Sequence, residues 1–223
     1  LILSGGCDED GSVPVHSALQ DAVSVKRATG MRLSAHTGIT GRERALVLAR
    51  FIDMALVDVV GSDETIREVY GLDKTTADYE STLKNLSDAG IPLAPHIIIG
   101  LHGGELRGEF TALRMAAKYH PCAVVLVVFI PTNGTPFEDA PKTGITDVAK
   151  VIIEARRMFD VPVSLSCVRP GGSYRSLLDE CAILCGVDRL AVPSARAYSV
   201  CSELGLGVQE ARGCCSFPPE PIT

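Results

Sequence analysis

LILSGGCDEDGSVPV, residues 1–15, decides how the rest of the chain is read. An apolar run at residues 1–3 breaks at Ser4-Gly5-Gly6, and a polar loop containing proline follows. That is the way a buried parallel strand ends, with glycines where the chain must turn. A strand at position one has no earlier neighbour, so the expectation is a sheet with an upstream unit missing.

Working outward, the same unit recurs along the 223 residues. A helical stretch at 17–29 leads to a short strand at 31–35 that ends at His36, and a second helix at 42–54 leads to the strand VDVV at 57–60. Helical patterns follow at 64–70 and 76–89, the latter closed by Gly90 as a C-terminal cap. PLAPHIIIG reads as a strand, 105–119 as an amphipathic helix, and AVVLVVFI at 123–130 as a fully buried strand. A helix at 145–159, the strand VPVSLSC, a helix at 174–185, a short strand at 189–192 and a helix at 194–204 complete the series.

Strand and helix alternate seven times with no shift in composition, which implies parallel pairing and right-handed crossovers. The fold class is α/β, and seven units are one short of a (β/α)₈ barrel of about 250 residues. The missing unit is about 30 residues and lies upstream, which leaves an open barrel. The competing arrangement is an open doubly wound sheet, which needs no eighth strand. The barrel is expected over residues 1–205, with 206–223 as a tail.

Composition bounds the function. Hydrophobic residues make up 46% and charged residues 22%, as in an ordinary globular protein, and the net charge of -6 with no basic stripe disfavours a nucleic-acid or anionic-membrane partner as the main business. The longest apolar run is too short for a bilayer and no signal peptide is visible, so a cytoplasmic location is expected. Eight cysteines without a secretory context point to metal, redox chemistry or packing before disulfides.

In a barrel the loops after the strands build the active site. Those loops carry Ser4-Gly5-Gly6-Cys7, His36-Thr37-Gly38, Gly61-Ser62-Asp63, Gly100-Leu101-His102, Pro131-Thr132-Asn133 and Cys167-Val168-Arg169. Glycine pairs supply turns, and they also let backbone N–H groups approach an anion or carboxylate. His36, His96 and His102 lie near strand ends at spacings that form no zinc motif, and no Walker, nucleophile-elbow or HExxH motif is present. Cys122, Cys181 and Cys185 read as packing residues, and Cys201 is uninformative. Cys7 and Cys167 stand at strand ends, and Cys214-Cys215 sits in EARGCCSFPPE, where adjacent thiols suit a metal or cluster better than a strained disulfide.

LILSGGCDEDGSVPV, RLSAHTGI, VVGSDETIREVYGL, PHIIIGLHGGELRGE, VVFIPTNGTPFED and CVRPGGSYRSLLDECAILCGVDRLAVPS, in this order, resemble the later strands of biotin-synthase-type radical S-adenosylmethionine enzymes. More closely they resemble the archaeal-type two-component lipoyl synthases, down to the terminal cysteine pair. The resemblance covers nearly the whole chain and implies a (β/α) barrel holding S-adenosylmethionine and a [4Fe-4S] cluster. It implies that Ser4-Gly5-Gly6 holds the methionyl amino group, that Ser62 and Asp63 meet the ribose, and that Ile98, Gly100, Ile130 and Pro131 lie against the adenine. The CxxxCxxC loop that binds the cluster in this family has no match in these residues. The expectation is therefore an N-terminally truncated enzyme, inactive as it stands, with the cluster ligands upstream.

The resemblance further implies a reduced cluster that cleaves S-adenosylmethionine to a 5′-deoxyadenosyl radical, which abstracts hydrogen from an unactivated carbon, and sulfur insertion into a protein-bound octanoyl chain. Cys7, Cys167, Cys214 and Cys215 are the candidates for an auxiliary cluster, with His36, His102 and Arg169 on the substrate. The expected partners are a small molecule or an acyl-carrier or lipoyl-domain protein, and a second lipoyl synthase subunit. The tail is expected to place Cys214-Cys215 over the strand ends near Cys7 or Cys167. The alternative function is a degenerate barrel that acts as a binding or scaffold subunit. A Schiff-base lyase is disfavoured because no lysine falls at a strand end.

Overall fold

The computed structural model describes residues 1–217. Seven strands form one all-parallel sheet in chain order: β1 (Ile2–Leu3), β2 (Ser34–His36), β3 (Met54–Asp58), β4 (Leu93–Ile99), β5 (Val124–Val128), β6 (Val163–Leu165) and β7 (Arg189–Leu190). Between them run α1 (Leu19–Thr29), α2 (Arg42–Leu48), α3 (Asp63–Val69), α4 (Thr76–Asp88), α5 (Glu109–Ala117), α6 (Ile145–Met158) and α7 (Gly172–Leu184), and α8 (Ala195–Glu203) follows β7. Because strand order equals chain order, every crossover lays its helices on the same outer face and the sheet curls. β1 and β7 do not pair, so the barrel is open, and the doubly wound alternative is excluded.

The sequence boundaries shift chiefly at α2, β3 and α5. α2 ends at Leu48, six residues before the expected end, and Met54 opens β3 instead of closing the helix. The helix turns at Ala49, and the Asp53 carboxylate then accepts from Lys26 at 2.6 Å and from the Leu33 amide at 2.6 Å, which ties the entry of β3 to β2. α5 begins at Glu109, since residues 101–108 form a glycine-rich turn.

Strand parity sorts the side chains. Leu33, Ala35, Ala55, Val57, Leu93, Ile97, Ile99, Val124, Leu126, Val128, Val163 and Leu165 pack outward in one large core with the helices. α6 shows the matching stripe, burying Val148, Val151, Ile152 and Ala155. The intervening strand residues face the lumen, where Met54, Leu56, Ala94 and Ala123 form a separate small cluster.

Two glycines fix how the loop after β3 meets the loop before α5. A Cβ on Gly61 would collide with the Gly108 carbonyl oxygen and lie 2.5 Å from the Ala112 nitrogen. Gly108 has φ +104, and a Cβ there would lie 2.6 Å from the Gly61 carbonyl carbon. The obstacle is backbone on both sides, so it cannot rotate away. Gly61→Ala is predicted to cost about 2–4 kcal/mol and to lower Tm by about 5–15 °C in thermal unfolding followed by circular dichroism. An unchanged Tm would contradict the close crossing.

Candidate functional site

At the C-terminal end of the edge strand β1, Ser4-Gly5-Gly6 runs into open space. A Cβ on Gly6 would meet nothing within 4 Å, and one on Gly5 only Val13 Cγ1 at 3.8 Å. No described residue accepts a hydrogen bond from either amide. These residues line a cleft of about 200 Å³ with Leu3, Val13 and Val15. Exposed amides on a side-chain-free loop are what a carboxylate or amino-acid group of a ligand needs.

The lumen is built by register. β3 Asp58 pairs with β4 His96, His96 with β5 Val125, Val125 with β6 Ser164, and Ser164 with β7 Arg189, which places all five on one inward row. His36 on β2 stands beside this row, with its ring centroid 5.0 Å from that of His96 and its Nδ1 3.8 Å from Asp58 Oδ2. Desolvation by burial pushes the Asp58 carboxyl up, but the neighbouring imidazoles of His36 and His96 leave it net below the usual range. Desolvation pushes His96 down and dominates the opposing pull of Asp58.

The chain's own tail fills the end of the lumen where the strands start. Phe217 packs with Met54, Leu56, Ala94, Ala123 and Cys122, and the Arg32 guanidinium lies 4.1 Å from its ring centroid. Arg189 donates to the carbonyls of Phe217 at 2.6 Å and Cys215 at 3.2 Å, and Ser164 donates to Cys215 at 2.9 Å. Ser216 is fully buried. The Cys215 carbonyl therefore sits inside the barrel beside mid-strand Ser164, deeper than the expected place over the strand ends, while its thiol keeps the expected neighbour Cys167. A lumen lacking one barrel strand needs a filler, and the aromatic ring of Phe217 supplies it.

Inside, the two thiols differ. Hydrogen bonding from Cys215 and Ser216 outweighs desolvation and holds Cys214 down to about 5, while donation to Cys214 and burial push Cys215 up. Cys215 is close enough to Cys167 for their charges to interact, whereas Cys7 bears on Tyr70 and Tyr79. All eight cysteines are free.

Three sequence expectations change role. Arg169 is fully buried, and its five N–H groups go to Asp179 through Nε and Nη2, to the Ser166 and Ala191 carbonyls through Nη1, and to the Val192 carbonyl through Nη2. Asp179 also accepts from the Ser194 amide at 2.8 Å, so the pair latches the β6 and β7 loops to α7 and has no donor left for a substrate. His102 faces α3, with Nδ1 3.2 Å from Thr65 Oγ1 and Nε2 3.5 Å from Glu68. Ser62 caps α3 by accepting from the Thr65 amide at 3.2 Å, and Asp63 accepts from the Thr76 amide at 2.7 Å.

Gly100 adopts φ +76 under Thr143, and its amide donates to the buried Glu109 at 2.8 Å. Desolvation raises the Glu109 carboxyl. Ile98 lines a small cleft with Val59, Val60 and Gly61, while Ile130 and Pro131 follow β5 at the open end. Asp58 and the inward-facing His96 were not singled out as ligand contacts in the sequence. The signal was present in the parity of VDVV and PHIII, which becomes readable once one lumen residue is known.

No family model matches the chain. It is 30% identical over 164 residues to a biotin synthase of Prochlorococcus marinus, covering 71% of this chain and 47% of that protein. It is 32% identical over 135 residues to a biotin synthase of Ruegeria pomeroyi, covering 58% and 41%. The chain thus spans somewhat less than half the length of these relatives. Among solved structures, methylornithine synthase aligns with a TM-score of 0.60 at 13% identity over 87% of this chain and 64% of that one. HydG, a maturase of the [FeFe]-hydrogenase, aligns with a TM-score of 0.56 at 16% identity over 71% and 37%. The chain is an open (β/α) barrel, a fold it shares with methylornithine synthase and HydG, and its sequence is similar to that of biotin synthases.

The resemblance to radical S-adenosylmethionine enzymes implies S-adenosylmethionine and a [4Fe-4S] cluster. The first fits the residues present, since the bare amides of Gly5 and Gly6 border a cleft. The second does not, because CxxxCxxC is absent from the 223 residues. Among the described residues, one group of donors converges closely enough for a single metal ion, Glu64, Glu68 and His102, and none of the candidate cysteines belongs to it. Among the described residues, no helix is long and apolar enough to cross a membrane.

The inequality of the thiols is open to test. Iodoacetamide labelling of Cys214, followed by mass spectrometry, is expected to reach its full rate by about pH 6.5 and to stay level to about pH 8, whereas an ordinary thiol near 8.5 would still be gaining. A rate that keeps rising through pH 8 would contradict the thiolate assignment.

Proposed function

We propose that the chain supplies the S-adenosylmethionine- and substrate-binding part of a sulfur-inserting radical enzyme. The observation that carries this reading is the Gly5-Gly6 cradle at the end of β1, combined with sequence likeness to biotin synthases. S-adenosylmethionine, when bound, is the source of the radical that activates a C–H bond. Three tasks fall to this chain. Gly5 and Gly6 hold the amino-acid end of the ligand through backbone groups, and the Ile98–Gly100 turn, kept in place by Glu109, offers an apolar edge to its base. Ile130 and Pro131 extend that edge. The lumen, closed at one end by Phe217, keeps water from the reacting carbon.

The three cluster thiolates come from outside these 223 residues in this reading, so the chain binds the ligand without cleaving it. The substrate is a protein-bound octanoyl chain on the strength of the terminal cysteine pair, with a carrier or lipoyl-domain protein and a second synthase subunit as partners. The named biotin synthases support a second reading, a small molecule with polar groups, and the polar row in the lumen favours it.

Calorimetric titration of the purified chain with S-adenosylmethionine tests the proposal. Binding is expected, together with no 5′-deoxyadenosine by chromatography after anaerobic treatment with iron, sulfide and reductant. Gly6→Val has room for its side chain in the free protein, so Tm should hold while affinity drops at least about tenfold. Absence of binding, or full affinity in Gly6→Val, would refute the cradle.

A further inference from the structure

The inward row holds acceptors that the fold leaves without donors. His96 is only 7% exposed, and its Nδ1 lies 2.9 Å from the Ala94 carbonyl, so that nitrogen carries the proton and Nε2 is left as an acceptor. No described residue donates to Nε2. Asp58, the register partner of His96, keeps 44% of its side chain open, and its ionic partner is an imidazole, His36, at 3.8 Å, beyond hydrogen-bond length. No lysine or arginine pairs with Asp58 among the described residues. Arg189, at the far end of the row, is committed to the tail carbonyls.

A carboxylate and a neutral imidazole that share one concave wall need a ligand bringing N–H groups and positive charge. An alkyl chain would bury both acceptors unpaired, at a cost of about 1–3 kcal/mol each, and a carboxylate would add like charge. An ammonium group carries three donors and one charge, which matches the wall. The geometry points to a lumen site in which Asp58, His36 and His96 receive a cationic amino group of the substrate. This inference rests on the second reading above, a small polar molecule in the lumen, and stands against an octanoyl chain as the occupant of this wall.

The test uses the 223-residue protein and three six-carbon probes at about pH 7.5: n-hexylammonium, hexanamide and hexanoate. Calorimetry should find hexylammonium bound at least about tenfold more tightly than hexanoate, with hexanamide between them. Asp58→Asn should erase the preference for the cation, and His36→Asn should reduce it. The His96 ring resonances should shift on adding hexylammonium and not on adding hexanoate. If Asp58→Asn does not fold, His36→Asn and the ring resonances carry the test. Equal affinity for the three probes, or an intact preference in the folded Asp58→Asn protein, overturns the site. Zn²⁺ alone binding at these residues and displacing hexylammonium would replace it with a metal site and also overturns it. S-adenosylmethionine titrated into the same samples separates the two readings. Binding of that ligand without amine selectivity refutes this site alone, and no binding refutes the wider function.

Discussion

A parallel barrel that does not close has a lumen exposed along one side, and the chain's own residues 214–217 fill part of it. The hydrogen bonds from Arg189 and Ser164 to the Cys215 and Phe217 carbonyls hold this segment in place, and the Phe217 ring covers Met54, Leu56, Ala94 and Ala123. Without it, an apolar floor would face water, and at about 25 cal/mol per Å² an aromatic ring's worth of contact amounts to a few kcal/mol. Much of the functional geometry follows from this filling. It brings Cys214 and Cys215 to mid-barrel, gives Arg189 a structural task, and leaves Asp58, His36 and His96 as the unfilled polar wall.

Holding the site in place falls to groups outside the lumen. Arg169 and Asp179 lock the loops after β6 and β7, while Gly61 and Gly108 allow the β3 and β4 loops to touch backbone to backbone. Glu109, buried and anchored on the Gly100 amide, sets the turn after β4. A buried ion pair of this kind stabilises little in net terms, but losing one partner leaves a charge with no water, so the latch acts on geometry more than on total stability.

The fold was legible because parallel strands buried on both faces read as apolar runs, and because each run ended in glycine or a polar residue. PLAPHIIIG and AVVLVVFI enclose β4 and β5, VDVV overlaps the last two residues of β3, and the open edge was foreseen from LILSGG. Residues 49–53 misled, because an apolar helical pattern ran on while the Lys26–Asp53 pair and the Leu33 amide pulled the backbone into β3. The site was less legible. Arg169 looked like a ligand residue because its position in the chain does not reveal that α7 carries Asp179 beneath it. The tail cysteines carried no periodicity, so only the fold could place them inside the barrel. His96 and Asp58 were hidden inside strands, where side-chain direction depends on a parity that one sequence does not fix.

The central claim is that the ends of β1 and β4 form one ligand-binding mouth above a plugged lumen. Hydrogen–deuterium exchange with and without S-adenosylmethionine tests it most directly. The account predicts slowed exchange at residues 4–6 and 98–100, with residues 214–217 equally protected in both states. Protection confined to other segments, or a tail that exchanges freely in the unliganded protein, would contradict it.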